Sequence, residues 1–258
     1  MRKTVLLLLI SAMLLGLIGC SQVVSGQVLQ LDKPRDTSPE VDKTDLATLV
    51  DSNNAFAFDL YQTLRQTGTN LFYSPYSISE ALAMTYAGAR GETEKDMAEA
   101  LNFTLSQDRL HPAFNSLDLQ LKQRGQGAKG KDEEGFRLHV VNAIWGQKDY
   151  EFLVQFLDVL AQNYGAGLRI LDFINETEQS RVTINKRVSD QTEERIKDLV
   201  PEGAIDQLTR LVLTNAIYFN AAWQYPFNKD ATSDGLFHLI GLPPFLVPLT
   251  MRQFLLSP

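Results

Sequence analysis

Three histidines, His111, His139 and His238, are the first candidates for acid–base or metal chemistry in this 258-residue chain. They share no ligand spacing with one another or with the single cysteine, Cys20, so the sequence spells out no zinc set. His139 falls inside an apolar run, where the expected role is a hydrogen-bonded structural imidazole. Gly125 to Gly130 (GQGAKG) has the form G-x-G-x-x-G. That pattern cradles a pyrophosphate when a strand precedes it and a helix N-terminus follows. Here a predicted helix precedes it and a charged loop leads into a strand, so the segment reads as a surface loop. Glu193-Glu194 and Asp132-Glu133-Glu134 read as solvated charges, and nothing selects a glycosidase-like carboxylate pair. The chain holds no G-x-S-x-G elbow, no P-loop and no H-E-x-x-H. The expectation is a protein that is not an enzyme, with no catalytic residue, cofactor or metal.

Cys20 has a chemistry of its own. Met1-Arg2-Lys3 is a short basic start, Val5 to Ile18 is apolar apart from Ser11, and Leu17-Ile18-Gly19-Cys20 follows. A basic n-region, an apolar h-region and a small residue at the end form a secretory signal, too short for a membrane span. The last four residues resemble a bacterial lipoprotein signal, with residues 1–19 removed and lipid on Cys20. The plainer alternative is an ordinary signal peptide or an N-terminal anchor helix. More than one acyl chain would hold the protein on a membrane. The expected location is outside the cytoplasm, as a membrane-anchored lipoprotein on the cell surface or in the extracellular space. Loss of Arg2 and Lys3 would leave 22 basic against 31 acidic residues, a charge of −9 in place of −7. With no basic block, nucleic acid is a poor partner. One cysteine also excludes an intrachain disulfide.

The elements that position these residues follow from periodicity. The chain is 44% hydrophobic and 21% charged, which suits a globular protein with enough length for a core. Residues 20–45 lack an apolar period and read as a lipid-anchored flexible linker with a reach of about 25–30 Å. The folded part is expected from 46 to 258. Asn53/Asn54 would cap a helix carrying Phe56, Leu60, Tyr61 and Leu64, ended by Gly68. Asn70 to Tyr73 reads as a short strand. Ser74-Pro75 opens a helix with Ile78, Ala81, Leu82 and Thr85 inward, Gly88 and Gly91 break it, and Thr93 caps another through Leu101. His111-Pro112 opens a helix carrying Phe114, Leu117 and Leu121. Arg137 to Gln147 is a strand apolar on both faces, with Leu138, Val140 and Ile144 on one and Val141, Ala143 and Trp145 on the other. Glu151 to Tyr164 reads as a helix, Leu168 to Phe173 as a strand, Ser180 to Val200 as a long polar helix, and Arg210 to Asn220 as a second doubly apolar strand. The pattern predicts an α+β, or mixed α/β, architecture with helices around a large central sheet.

Four stretches together resemble the serpin family of protease inhibitors. They are Asn70 to Met84 (NLFYSPYSISEALAM) with Tyr86 to Thr93 (YAGARGET); Val141 to Trp145 (VNAIW) with Asp172-Phe173; Ile184-Asn185 with Thr192 and Ile196; and Leu211 to Trp223 (LVLTNAIYFNAAW) with Phe227 and Thr232. Their order and spacing hold from residue 46 to about 238. The resemblance implies a serine-type endopeptidase inhibitor, monomeric when intact. A target serine protease cuts an exposed bait loop, and the cut loop inserts as a strand into a metastable main sheet. By resemblance, Arg137–Gln147 and Arg210–Asn220 belong to the sheet that opens. Ser74, Pro75, Ser77 and Asn215 match the polar cluster beneath its centre, usually called the shutter. The same Ser74-Pro75 and Ser77 also suit an ordinary helix start. Trp223 matches a tryptophan at the top of the sheet, the breach where the loop first enters. An ordinary core aromatic is the alternative.

The resemblance weakens after Phe237. Pro243-Pro244 would interrupt an expected strand. Val247-Pro248 and Met251-Arg252-Gln253 still fit the family, and Phe254 to Pro258 do not. Hinge, bait loop and C-terminal strands are not found, so no residue can serve as a reactive-centre P1 site. The chain is expected to be a truncated serpin domain, inactive as given, with Arg210–Asn220 left as an apolar edge. The alternative is a non-inhibitory surface lipoprotein acting as a binding module.

Overall fold

The computed structural model describes residues 27–29, 33–67, 70–124, 135–223, 227–238 and 243–250. Cys20 and the signal segment, Gly68, the GQGAKG loop and residues 251–258 lie outside these. The architecture is the expected α+β. Six helices, α1 (Lys43–Leu64), α2 (Pro75–Tyr86), α3 (Gly91–Ala100), α4 (Gln107–Gln123), α5 (Val154–Tyr164) and α6 (Thr177–Gln191), surround a four-stranded sheet. The sheet runs β1 (Gln27–Leu29), β3 (Leu168–Leu171), β2 (Arg137–Gln147), β4 (Leu211–Asn220). A separate hairpin pairs β5 (Thr232–Phe237) with β6 (Phe245–Thr250).

The two long strands form the spine. β2 and β4 pair antiparallel over ten positions, from Arg137 opposite Asn220 to Gly146 opposite Leu211, and β3 lies parallel to the other side of β2. β2 is covered on both faces as its composition predicts. Ile144 packs with Met84 of α2 and Leu157 and Leu160 of α5, while Ala143 and Trp145 pack with Phe173 and Ile184 under α6. β4 differs. Among the described residues it is an edge strand, and Leu211 and Phe219 are exposed. Beside the sheet, Leu49, Phe56, Tyr86, Phe103, Leu110 and Phe114 make a helical core.

Several boundaries move, each for a local reason. Helix α1 begins about ten residues before Asn53, which instead lies inside the helix with its amide donating to the Leu49 carbonyl. Buried Asp45 in the first turn, ion-paired with Arg109 of α4, supports that earlier start. Tyr61 faces solvent. Asn70 to Tyr73 form no strand, and Phe72 is 90% exposed. Helix α3 starts two residues before Thr93, after extended Arg90. Helix α4 starts after extended Ser106, and Pro112 lies inside it. Helix α5 begins at Val154, three residues later than its composition suggests.

Helix α6 stops at Gln191, nine residues early. Glu193 and Glu194 adopt positive φ, and the chain doubles back. Asn185 closes this return: its amide nitrogen donates to the Val200 carbonyl and its oxygen accepts from the Val200 N–H, both at 2.8 Å. Buried Thr192 donates to the Val188 carbonyl and accepts from the Ile196 N–H. Finally, Pro243 and Pro244 do not interrupt the last strand. They precede it, and the β5–β6 ladder runs from Phe245 to Thr250.

The expected flexible linker is also structured along part of its length. β1 extends the sheet antiparallel to β3, with Gln27 opposite Ile170 and Leu29 opposite Leu168. Lys33 meets Asp158 of α5 at 2.5 Å. Arg35 donates from Nε to Asn115 at 2.8 Å and from Nη2 to Asp118 at 2.6 Å, both on α4. The Asp36 N–H donates to the Gln162 carbonyl. Gly165, which ends α5 at φ 59°, makes room: a Cβ there would meet Arg35 Cδ at 2.8 Å. Asp118 is buried and keeps Lys122 as a second partner. Replacing Arg35 by Ala is therefore expected to cost about 2 kcal/mol, less than loss of a sole buried partner. Urea unfolding of the variant and the wild type at pH 7 measures it.

Candidate functional site

A connected, part-buried polar cluster lies where α2 crosses the middle of β2 and β4. Ser74 caps α2: its Oγ accepts from the Ser77 N–H at 3.3 Å, and Pro75 takes the first turn, where no N–H is needed. That start fixes the rest of the helix. Ser77, Ser79, Ala81 and Ala83 are all buried, and such small side chains let the helix approach the strands closely. Of the expected inward set only Ala81 is buried, while Ile78, Leu82 and Thr85 are half-buried; Glu80, Met84 and Tyr86 are buried as well, so α2 is enclosed on most of its circumference. Ser77 then presents both its oxygens to the sheet.

Asn142 of β2 and Asn215 of β4 face each other across the ladder. Asn215 Nδ2 lies 2.6 Å from Ser77 Oγ, 2.9 Å from the Ser77 carbonyl and 2.6 Å from Asn142 Oδ1. Asn142 Nδ2 donates to Glu80 Oε2 at 2.9 Å and reaches the Ser77 carbonyl at 3.3 Å. Glu80 Oε1 in turn accepts from the Tyr76 hydroxyl at 3.2 Å. One helix and two strands are therefore stitched together by exchangeable side-chain hydrogen bonds, beside the apolar packing of Met84 against Ile144. On the opposite face, Trp145 Nε1 donates to Thr214 Oγ1 at 3.0 Å and locks the same two strands.

Glu80 is the charged member of the cluster. Burial raises its pKa to about 7, and the negative charge of Asp118 adds to the rise. The Tyr76 hydrogen bond, Lys122 and Arg35 oppose it. The Tyr76 hydroxyl is itself held well above its ordinary value by burial and by Glu80. At neutral pH the carboxyl thus sits near its midpoint and can accept from Asn142 either way.

The structure brings Ser74, Ser77 and Asn215 together and adds Asn142, Glu80 and Tyr76, which residue types alone did not select. Asn142 carried a signal, being a polar residue amid the apolar face of Val140 and Ile144. Trp223 stands apart. It lies three residues beyond β4, is 71% exposed, and meets Phe227 edge-on at 5.6 Å. His139 is not a buried structural imidazole: it is exposed and lies against the ring of Tyr218 at 5.6 Å. The three histidines remain apart, and among the described residues no three His, Cys, Asp or Glu side chains are grouped to hold a metal ion. No helix among them is long and apolar enough to cross a membrane.

Comparison with known proteins adds to this geometry. Residues 51–251 match the family described as Serpin (serine protease inhibitor), which extends past Phe237, where the sequence resemblance weakened. A leukocyte elastase inhibitor of Sus scrofa is 40% identical over 190 residues, covering 73% of this chain and 48% of that protein. A serpin-like protein of Methanosarcina acetivorans is 37% identical over 193 residues, covering 72% and 43%. Among solved structures, Arabidopsis AtSerpin1 in its native stressed conformation superposes with a TM-score of 0.68 at 26% identity, over 83% of this chain and 53% of that one. Emu ovalbumin gives 0.67 at 23% identity, over 79% and 54%, a likeness of fold. The chain spans about half the length of the curated relatives it matches.

The cluster makes a pH dependence. Folded Glu80 keeps its proton up to about pH 7, whereas the unfolded residue releases it near 4.5. The native state binds more protons in that window, so this group's contribution to stability falls as pH rises through it, by about 3 kcal/mol in full. Urea midpoints measured from pH 5 to 8 are expected to decline in the wild type relative to Glu80→Gln, whose neutral amide removes the slope.

Proposed function

The chain belongs to the serpin family, and we propose that it supplies the opening sheet of a serine protease inhibitor that works by bait-loop cleavage and strand insertion. The observation that supports this is the Ser77–Asn142–Asn215 node beneath β2 and β4. A sheet that admits a strand must part without stranding buried polar groups. Short hydroxyls and amides can exchange partners as strands separate, which packed leucines cannot do. Ser74, Pro75, Ser77 and Asn215 form the shutter on this reading, with Asn142 and Glu80 as added members. Trp223 would guard the breach. β4, an edge strand with exposed Leu211 and Phe219, is where a new strand would add. The protein acts by trapping a protease, not as an enzyme. The relatives named leukocyte elastase inhibitors support a serine protease as partner.

The sequence reading of Cys20 supports export and a lipid anchor, which would place the inhibitor on a membrane facing extracellular proteases.

The decisive test incubates the complete gene product with serine proteases of several specificities. An adduct that survives denaturing detergent is the expected outcome, and cleavage without any adduct across the panel would overturn the reading. The 258-residue chain alone is the comparison arm and is expected to give no adduct. For the anchor, cells fed labelled palmitate should incorporate label into the wild type and not into Cys20→Ser.

A further inference from the structure

A second polar site lies away from the sheet, in a cleft of about 490 Å³ between the α2–α3 turn, the first half of α4, and α5. Its lining includes Asp36, Arg90, Gln107, Asp108, His111 and Asn163. His111 is 1% exposed. Its Nδ1 lies 2.7 Å from the Tyr164 hydroxyl, and its ring sits between Tyr86 and Tyr164. Its Nε2 is buried and has no hydrogen-bond partner among the described residues. An imidazole nitrogen in that position is costly unless something bonds to it.

Arg90 lines the same cleft, near enough for its charge to act on His111. Nη1 donates to the carbonyls of Ala87 and Ala89, closing the end of α2, and reaches Gln107. Among the described residues Nε and Nη2 have no hydrogen-bond acceptor, which leaves a planar fork suited to a two-oxygen acceptor. Burial and the Arg90 charge lower His111 to about 4, so its ring is neutral at pH 7. When Tyr164 donates to Nδ1, Nε2 carries the hydrogen and can donate to the same acceptor.

We propose that this cleft binds a small zwitterionic carboxylate, of the free amino acid or short peptide class, with its carboxylate on Arg90 and His111 Nε2 and its ammonium toward Asp36 and Asp108. The charge balance selects this class. Two acids beside one arginine disfavour a phosphate or sulfate dianion and give an ammonium a place to go. The site does not depend on the inhibitor reading.

The test titrates the full chain with glycine, glycylglycine, N-acetylglycine and inorganic phosphate while the His111 imidazole signals are followed by NMR. His111→Gln identifies those signals among the three histidines. Glycine or glycylglycine is expected to shift them saturably, and the stronger of the two distinguishes amino acid from peptide. N-acetylglycine, lacking the ammonium, should bind about tenfold more weakly, and Arg90→Gln should weaken glycine by about tenfold or more. Arg90 also closes α2, so Asp108→Asn, on the surface, serves as the second variant. It should bring glycine and N-acetylglycine closer together. No shift with either glycine probe, equal affinity for glycine and N-acetylglycine in the wild type, or phosphate binding as tightly as glycine would each overturn the proposal.

Discussion

Two half-buried asparagines facing each other between apolar strands are the constraint around which the sheet is built. An unpartnered amide in such a place costs on the order of 1–3 kcal/mol, so Asn142 and Asn215 need acceptors close at hand. α2 provides them, and only because it starts where it does. Ser74 fixes the first turn, Ser77 then points both its oxygens at the strands, and Glu80 follows one turn later on the same side. The small residues along α2 are the steric condition for that approach. Apolar packing flanks the node, with Met84 and Ile144 on one face and Val141 with Val188 on the other. The hydrogen bonds set register, while the packing supplies most of the stability.

The sequence is most legible where burial on two faces dictates composition. β2 has the bounds its alternation predicts, because both layers that cover it demand apolar residues. The serpin resemblance picked out Ser77 and Asn215, which spacing alone left as helix-start and strand residues. Other features depend on distant partners. The end of α6 is set by Asn185 gripping Val200, and residues 192–200 are polar enough to read as more helix. Asn53 looked like a cap because its residue type favours one, and Asp45 meets its Arg109 only in the fold. Glu80 was invisible for a similar reason: glutamate is almost always solvated, and nothing local marks one that is enclosed.

The helical half has its own polar order, distinct from the sheet. His111, Tyr164, Tyr86 and Phe114 form one aromatic stack joining α2, α4 and α5. Asp118 joins Arg35 and Lys122 one face away and also contributes to the field on Glu80. The clamp on the N-terminal segment and the node under the sheet are therefore electrostatically linked, through Asp118 and, with opposite sign, through Lys122 and Arg35.

The pairing of β1 with β3 has a mechanical meaning. A load applied through the chain ahead of Gln27 meets the β1–β3 pairs first. The Lys33 and Arg35 ion pairs come next, then the backbone hydrogen bonds of Asp36, and α1 feels tension only after those yield. Three ladder pairs, two ionic contacts and the Asp36 hydrogen bonds thus act as a shock absorber in series with the body, rupturing in order under pull while the core keeps its shape.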